Sequence, residues 1–133
     1  MKQTILIIND SKAIRFLLQT ILSKKYNVTS FPDACTTMQW LLRKNIPQLI
    51  IADPQLPDCE NWELISNLHN SGLYGNIPVI ILSNLSQEEV IVKSTEYKNI
   101  TKSFSQPFNP LELLESVDNM VPAIKAEASM IPV

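Results

Sequence analysis

The chain is 133 residues long, 45 % hydrophobic and 18 % charged, with a formal net charge of −2. That is enough chain for one soluble domain with a single core. The charge gives no general attraction for a phosphate backbone, which excludes direct nucleic-acid binding from the expected functions. No apolar run approaches the roughly 20 residues of a membrane span, and the start, Met1-Lys2-Gln3-Thr4-Ile5, lacks a cleavable-leader pattern, so the expected location is the cytoplasm.

Strand-like and helix-like segments alternate five times along the chain. Thr4–Ile8 is an apolar run that reads as a strand. From Ser11 the apolar residues Ala13, Ile14, Leu17, Leu18, Ile21 and Leu22 recur at the spacing of one helix face. Tyr26–Phe31 reads as a short second strand, and Asp33 caps a helix that runs to Lys44 through Met38, Leu41 and Leu42. Leu49–Asp53 is the third strand. A helix with Trp62, Ile65 and Leu68 on one side follows from Asn61, and Gly72 is its expected stop. Pro78–Leu82 is the fourth strand, and Ser86-Gln87-Glu88-Glu89 has the form of a capping box at the start of a fourth helix. Thr95–Lys102 is polar with no clear helix end, and Ser103–Gln106 reads as a weak fifth strand. Asn109-Pro110-Leu111-Glu112 supplies an N-cap, a proline at the first helical position and a glutamate three residues after the cap. That last helix carries Leu113, Leu114, Val117 and Met120 and is expected to stop at Pro122, leaving Ala123–Val133 as a loose tail or linker.

Continuous apolar strands alternating with amphipathic helices predict an α/β fold, a parallel sheet covered on both faces. Right-handed crossovers leave few topologies, and in the five-strand order that makes the first and third strands neighbours those two lie side by side at a topological switch point. Both of those strands end on acid: Ile5-Leu6-Ile7-Ile8 runs into Asn9-Asp10, and Leu49-Ile50-Ile51-Ala52 runs into Asp53. Ser83 ends the fourth strand in the same way. Alone, Asp10 would be a helix cap and Asp53 the start of a turn. Together they form a constellation at one rim. Two carboxylates so close repel unless a proton or cation intervenes. Asp10, Asp53 and the main-chain carbonyl of Gln55 are hard oxygen donors suited to magnesium, and a metal-bound aspartate is a nucleophile toward phosphorus.

Other chemistry is thinly represented. Cys35 and Cys59 stand 24 positions apart without Cys-x-x-Cys spacing and are expected to be free thiols. The single histidine, His69, has no Cys or His near it in sequence and reads as a solvent-facing helix residue. The chain's two glycines, Gly72 and Gly75, lie away from the acidic rim, which argues against a glycine-rich phosphate loop.

The stretches Ile5–Asp10, Leu49–Pro57, Ile77–Ser83 and Gln106-Pro107-Phe108 resemble, in order and spacing, the receiver domain of bacterial response regulators. The resemblance runs from about Lys2 to Val121 and implies a receiver domain over residues 1–122, with 123–133 as tail or linker. It implies a flavodoxin-like, CheY-like five-stranded parallel sheet of order 2-1-3-4-5 with helices on both faces, and a signalling module of a two-component system rather than an enzyme. The implied phosphoryl donor is a histidine kinase or a phosphotransfer protein. The implied readers are a downstream protein, a fused effector domain or a second copy of the chain. Asp53 would be the phosphoacceptor, with Mg2+ held by Asp10, Asp53 and the Gln55 carbonyl, and by Asn9 through a water. Ser83 would hydrogen-bond a phosphoryl oxygen.

The chain departs from the family pattern at several signature positions. Asn9 stands where the first acid usually is, Gln106 where a lysine usually precedes Pro-Phe, and Ser103 where an aromatic switch residue is usual. Asn84 replaces a small residue and Asp58 replaces a glycine. The first two changes cancel in charge: the usual three acids and a lysine sum to −2, as do the two acids and no cation here. Magnesium can still neutralise such a site, whereas Gln106 offers a phosphoryl group only neutral donors. The competing reading is a degenerate pseudo-receiver that acts as a phosphate-independent interaction or dimerisation module.

Overall fold

The computed structural model describes residues 3–129, with side chains described through residue 121. The elements are β1 Thr4–Ile8, α1 Lys12–Leu22, β2 Asn27–Phe31, α2 Ala34–Leu42, β3 Leu49–Ala52, α3 Glu63–His69, β4 Val79–Ser83, α4 Gln87–Glu96, β5 Ile100–Ser105 and α5 Pro110–Ser129. The five strands form one sheet in the order β2-β1-β3-β4-β5, every neighbouring pair parallel, as the sequence predicts.

Successive side chains of a strand point to opposite faces, so each central strand feeds two cores. Leu6, Ile8, Ile50, Ala52, Val79 and Ile81 pack under Leu41, Ile65 and Leu68 on one face. Ile5, Ile7, Leu49, Ile51, Ile80 and Leu82 pack under Leu18, Leu22, Leu113 and Val117 on the other. Each fully buried Leu or Ile contributes about 1.5–3 kcal/mol of burial, which holds the strand ends, and the acids on them, in fixed register.

The polar caps form where the sequence places them. Ser11 Oγ accepts from the Ile14 amide at 3.3 Å, Asp33 from Thr36 at 2.9 Å, Ser86 from Glu89 at 3.2 Å, and Asn109 from Leu111 at 2.9 Å. In the predicted capping box, however, the Glu89 carboxylate accepts from the Trp62 indole N–H at 2.8 Å. Trp62 is therefore a buried tie between the start of α3 and the start of α4.

Several strand ends shift by one residue, and five boundaries differ from expectation by two residues or more. The second helix ends at Leu42, and Lys44, expected inside it, has a left-handed φ of 68°. The third helix begins at Glu63 rather than Asn61, because Trp62 adopts a left-handed φ of 69° and cannot be helical. Gly72 is not its stop: the helix ends at His69, and Asn70 stays right-handed, with the Ser71 amide bonding Leu68 O at 3.1 Å, so no glycine is required there. β5 starts at Ile100, three residues earlier than Ser103. It is an edge strand with a register shift opposite Val79 and Ile80, and mostly exposed polar side chains hide it from an apolar-run reading. Finally, α5 continues through Pro122 to Ser129, so residues 123–129 are helical. Proline removes one main-chain donor and strains the preceding turn, a penalty that an established helix can absorb. Residues 130–133 of the predicted tail lie outside the described residues.

Candidate functional site

Pairing of β1 with β3 assembles the rim. Ile8 is in register with Ala52, and the Asp53 amide donates to Ile8 O at 2.9 Å, so the Asn9-Asp10 corner emerges beside Asp53. Asp53 is buried, 8 % exposed, and its Oδ1 accepts from the Gln55 amide at 2.8 Å. Pro54 O accepts from the Trp62 amide at 2.9 Å, which closes the loop that carries Gln55.

The Asp53 carboxyl is pushed up from 3.8 to about 6. Burial is the main cause, and the nearby Asp10 carboxylate adds to it against the opposing pull of the Gln55 amide. Among the described residues no cation offsets these effects. Asp10 itself is exposed.

Asn9 is 2 % exposed. Its Oδ1 accepts from the Ser11 amide at 2.8 Å, its main-chain carbonyl accepts from Arg15 Nη1 at 2.6 Å, and its Nδ2 is buried without a partner. Across β3, Ser83 is buried at the end of β4, and its carbonyl accepts from the Gln106 amide at 2.9 Å. The Gln106–Pro107 bond is cis, and Gln106 Nε2 is buried without a partner. Asn9, Asp10, Asp53, Gln55, Ser83 and Gln106 thus all follow or end strands at the same edge of the sheet, as the sequence predicts. Ser103 does not reach that edge. It is exposed on β5 and lines a recess of about 690 Å³ between α4 and α5, together with Ile91, Phe104 and Phe108.

Among the described residues no cluster of three or more acidic, Cys or His side chains has the form of a metal site. The rim fits magnesium on other grounds. Two carboxylates and the Gln55 carbonyl are an all-oxygen donor set, and the Asp10–Asp53 repulsion is what a cation would relieve. Neither cysteine is paired. His69 is half-buried rather than fully solvent-facing, edge-on to Tyr97 with ring centroids 5.7 Å apart.

One residue at this edge acts in a way the sequence did not signal. The Asp58 carboxylate accepts from the Ala34 amide at 3.0 Å and the Cys35 amide at 2.8 Å, tying the loop after β3 to the first turn of α2. Those two bonds hold its carboxyl below the usual range. The partners lie more than twenty positions away in sequence, beyond any local pattern. A depressed carboxyl stabilises the fold above its unfolded pKa and loses that contribution as pH falls. Asp58→Ala is therefore expected to lower the melting temperature at neutral pH and to lower it less in acid, measured by thermal denaturation at both.

A doubly wound parallel sheet with an acidic pair at its switch point defines a class of α/β domains with a site at the strand ends. Within that class the chain belongs to the response regulator receiver domain family, whose model matches residues 5–118. It is 29 % identical over 121 residues to Histidine kinase P4 of Formosa agariphila, covering 90 % of this chain and 9 % of that protein. It is 26 % identical over 123 residues to Sporulation initiation phosphotransferase F of Bacillus subtilis, covering 92 % of this chain and 96 % of that one. Among solved structures it is similar to a CheY-like response regulator receiver domain protein from Methanospirillum hungatei, with TM-score 0.83 and 25 % identity over 96 % of this chain and 99 % of that one. The chain spans less than half the length of several curated relatives that it matches. Receiver domains of this family are phosphoryl-accepting, generally non-enzymatic modules of two-component signal transduction, and they generally bind Mg2+ at the phosphorylation site. No helix among the described residues is long and apolar enough to cross a membrane.

Proposed function

We propose that Asp53 accepts a phosphoryl group from the phosphohistidine of a histidine kinase or phosphotransfer protein, and that the domain signals through protein contacts. The observation that carries this reading is the Asp53 carboxyl itself. It is buried, held by one amide, raised to about 6 and faced by a second acid. With that pKa it is ionised at neutral pH and nucleophilic. Because Oδ1 is engaged by the Gln55 amide, Oδ2 is the attacking oxygen. The P–N bond of phosphohistidine breaks as the P–O bond to Oδ2 forms, and the imidazole leaves with the electron pair.

Asp10, Asp53 and the Gln55 carbonyl would hold Mg2+, with Asn9 beside them. When bound, the cation supplies neutralisation of charge on the transferring phosphoryl group. Ser83, buried at the end of β4, would donate its hydroxyl to a phosphoryl oxygen. The domain comprises residues 1–122 in this reading. The exposed Ile91 and Leu111 near the recess between α4 and α5 suit a downstream protein or a second copy. The relatives favour this reading over a phosphate-independent module.

Intact-mass measurement after incubation with a phosphorylated histidine phosphotransfer protein and magnesium tests it. One phosphoryl adduct is expected on the wild type and none when the metal is chelated. An adduct that persists in Asp53→Asn would assign the chemistry to another residue.

A further inference from the structure

We infer that Trp62 carries the state of the Asp53 carboxylate to the first turn of α4, with Glu89 as the contact that changes partner. This rests on Asp53 being the phosphoacceptor. The route starts at one peptide plane. The Gln55 N–H donates to Asp53 Oδ1 at 2.8 Å, and the Pro54 carbonyl of that same peptide unit accepts from the Trp62 N–H at 2.9 Å. A peptide unit is flat and stiff, so its two ends cannot be reoriented separately. Trp62 continues the route through its side chain. The indole is buried, and its Nε1–H donates to the Glu89 carboxylate at 2.8 Å. Asp53, the Pro54–Gln55 unit, Trp62 and Glu89 therefore form one unbroken series of bonds from the end of β3 to α4.

The series is poised to change at Trp62 and at Glu89. Trp62 has a left-handed φ of 69°, which a bulky residue adopts only under constraint from its surroundings. The bond to Pro54 O constrains it on one side and the bond to Glu89 on the other. Glu89 has a second seat within reach. It is the third residue of α4 behind the cap Ser86, whose Oγ accepts from the Glu89 N–H at 3.2 Å. The reciprocal bond of a capping box, from the Ser86 N–H to the Glu89 carboxylate, is not made, and the carboxylate takes the indole instead. Phosphorylation acts on the first bond of the series. In the acyl phosphate, Asp53 Oδ1 is a neutral carbonyl oxygen, so the Gln55 N–H loses its charge-assisted acceptor and the bond falls to roughly half its strength. With the Pro54–Gln55 unit loosened, the strained Trp62 turn relaxes and Glu89 leaves the indole. Its carboxylate closes the box on the Ser86 N–H, and the start of α4 reports the modification.

Fluoroberyllate, a mimic of the phosphoryl group on aspartate, tests the route without turnover. The chain has two tryptophans, and Trp40→Phe leaves a single indole, which assigns the Trp62 N–H resonance. At saturating magnesium, fluoroberyllate is expected to move that resonance upfield, as an indole that has lost a carboxylate partner does. Affinity is read by fluorine NMR. Trp62→Phe removes only the resting seat of Glu89 and is expected to tighten fluoroberyllate about tenfold, the effect of one hydrogen bond to a charged group. Glu89→Leu removes both seats and is expected to bind much as the wild type does. Combining it with Trp62→Phe is expected to abolish the tightening. An indole resonance that fluoroberyllate leaves unmoved overturns the inference, and this wild-type readout decides should Trp62→Phe not fold. Trp62→Phe binding no more tightly than the wild type, or tightening that persists in the double variant, overturns it as well. Failure of the wild type to bind fluoroberyllate, or equal binding by Asp53→Asn, would instead overturn the phosphoacceptor reading beneath it.

Discussion

Asp53→Asn is expected to abolish the phosphoryl adduct and, at the same time, to make the protein more resistant to heat at neutral pH. The first effect follows from the loss of the nucleophile. The second follows from the electrostatics of the site. The carboxyl sits near 6 in the fold against 3.8 in the unfolded reference, chiefly because it is buried. Below pH 4 both states hold the proton and the group is at its most favourable for folding. Between about 4 and 6 the native state keeps a proton that the unfolded chain has released, so stability falls as pH rises. Above about 6 the native carboxylate is ionised in a dry site beside Asp10, at a cost on the order of 2 kcal/mol after allowance for residual hydration. Asparagine avoids this cost and can still accept from the Gln55 amide through Oδ1. A gain of roughly 5–10 °C at pH 7.5 without magnesium is expected, shrinking toward zero near pH 4. Paired melts of wild type and variant at the two pH values measure it. An equal gain at both would mean that packing, not ionisation, sets the effect.

Gly75→Ala is expected to be the most damaging single-methyl change outside the core, and Gly72→Ala to be harmless. At Gly75 a Cβ would lie 2.6 Å from Ser71 O and 2.8 Å from His69 O, both main-chain atoms that cannot swing aside. The turn from α3 into β4 would have to open, and the Gly75 amide bond to Ser71 O at 2.9 Å would be disturbed with it. A loss of about 2–3 kcal/mol is expected. At Gly72 nothing lies within 4 Å, and its φ is not left-handed. Alanine there restricts the unfolded chain and should stabilise by about 0.4–1 kcal/mol. Chemical denaturation of the two variants separates the cases, and similar midpoints for both would contradict this account.

The parts of the fold legible in the sequence were those governed by burial. β1, β3 and β4 are short unbroken apolar runs because both of their faces are covered, and parallel pairing with right-handed crossovers leaves only a few orders for them. The acids at the rim were legible for a related reason: charge that abruptly ends a buried strand is conspicuous. The parts that were not legible depend on contacts distant in sequence or on tolerance of a local penalty. Ile100–Lys102 joined β5 as a polar edge. α5 carried on through Pro122. Asp58 found its partners on α2, and Glu89 found the Trp62 indole instead of completing its own capping box. Asn9 was legible as a site residue, but the direction of its amide is set by Ser11 and could not be read from the residue type.

The exposed edge of β5 has a consequence for solubility and assembly. Among the described residues one long side of that strand has no partner strand, and Thr101, Lys102, Ser103 and Ser105 are exposed on β5. Hydroxyls and a lysine on an open edge discourage runaway pairing of sheets between molecules. A polypeptide that associates here has little reason to add itself as a sixth strand. It would grip through side chains set in the neighbouring recess, so recognition would be decided by shape and charge in that hollow and not by the sticky, sequence-blind ladder of main-chain amides.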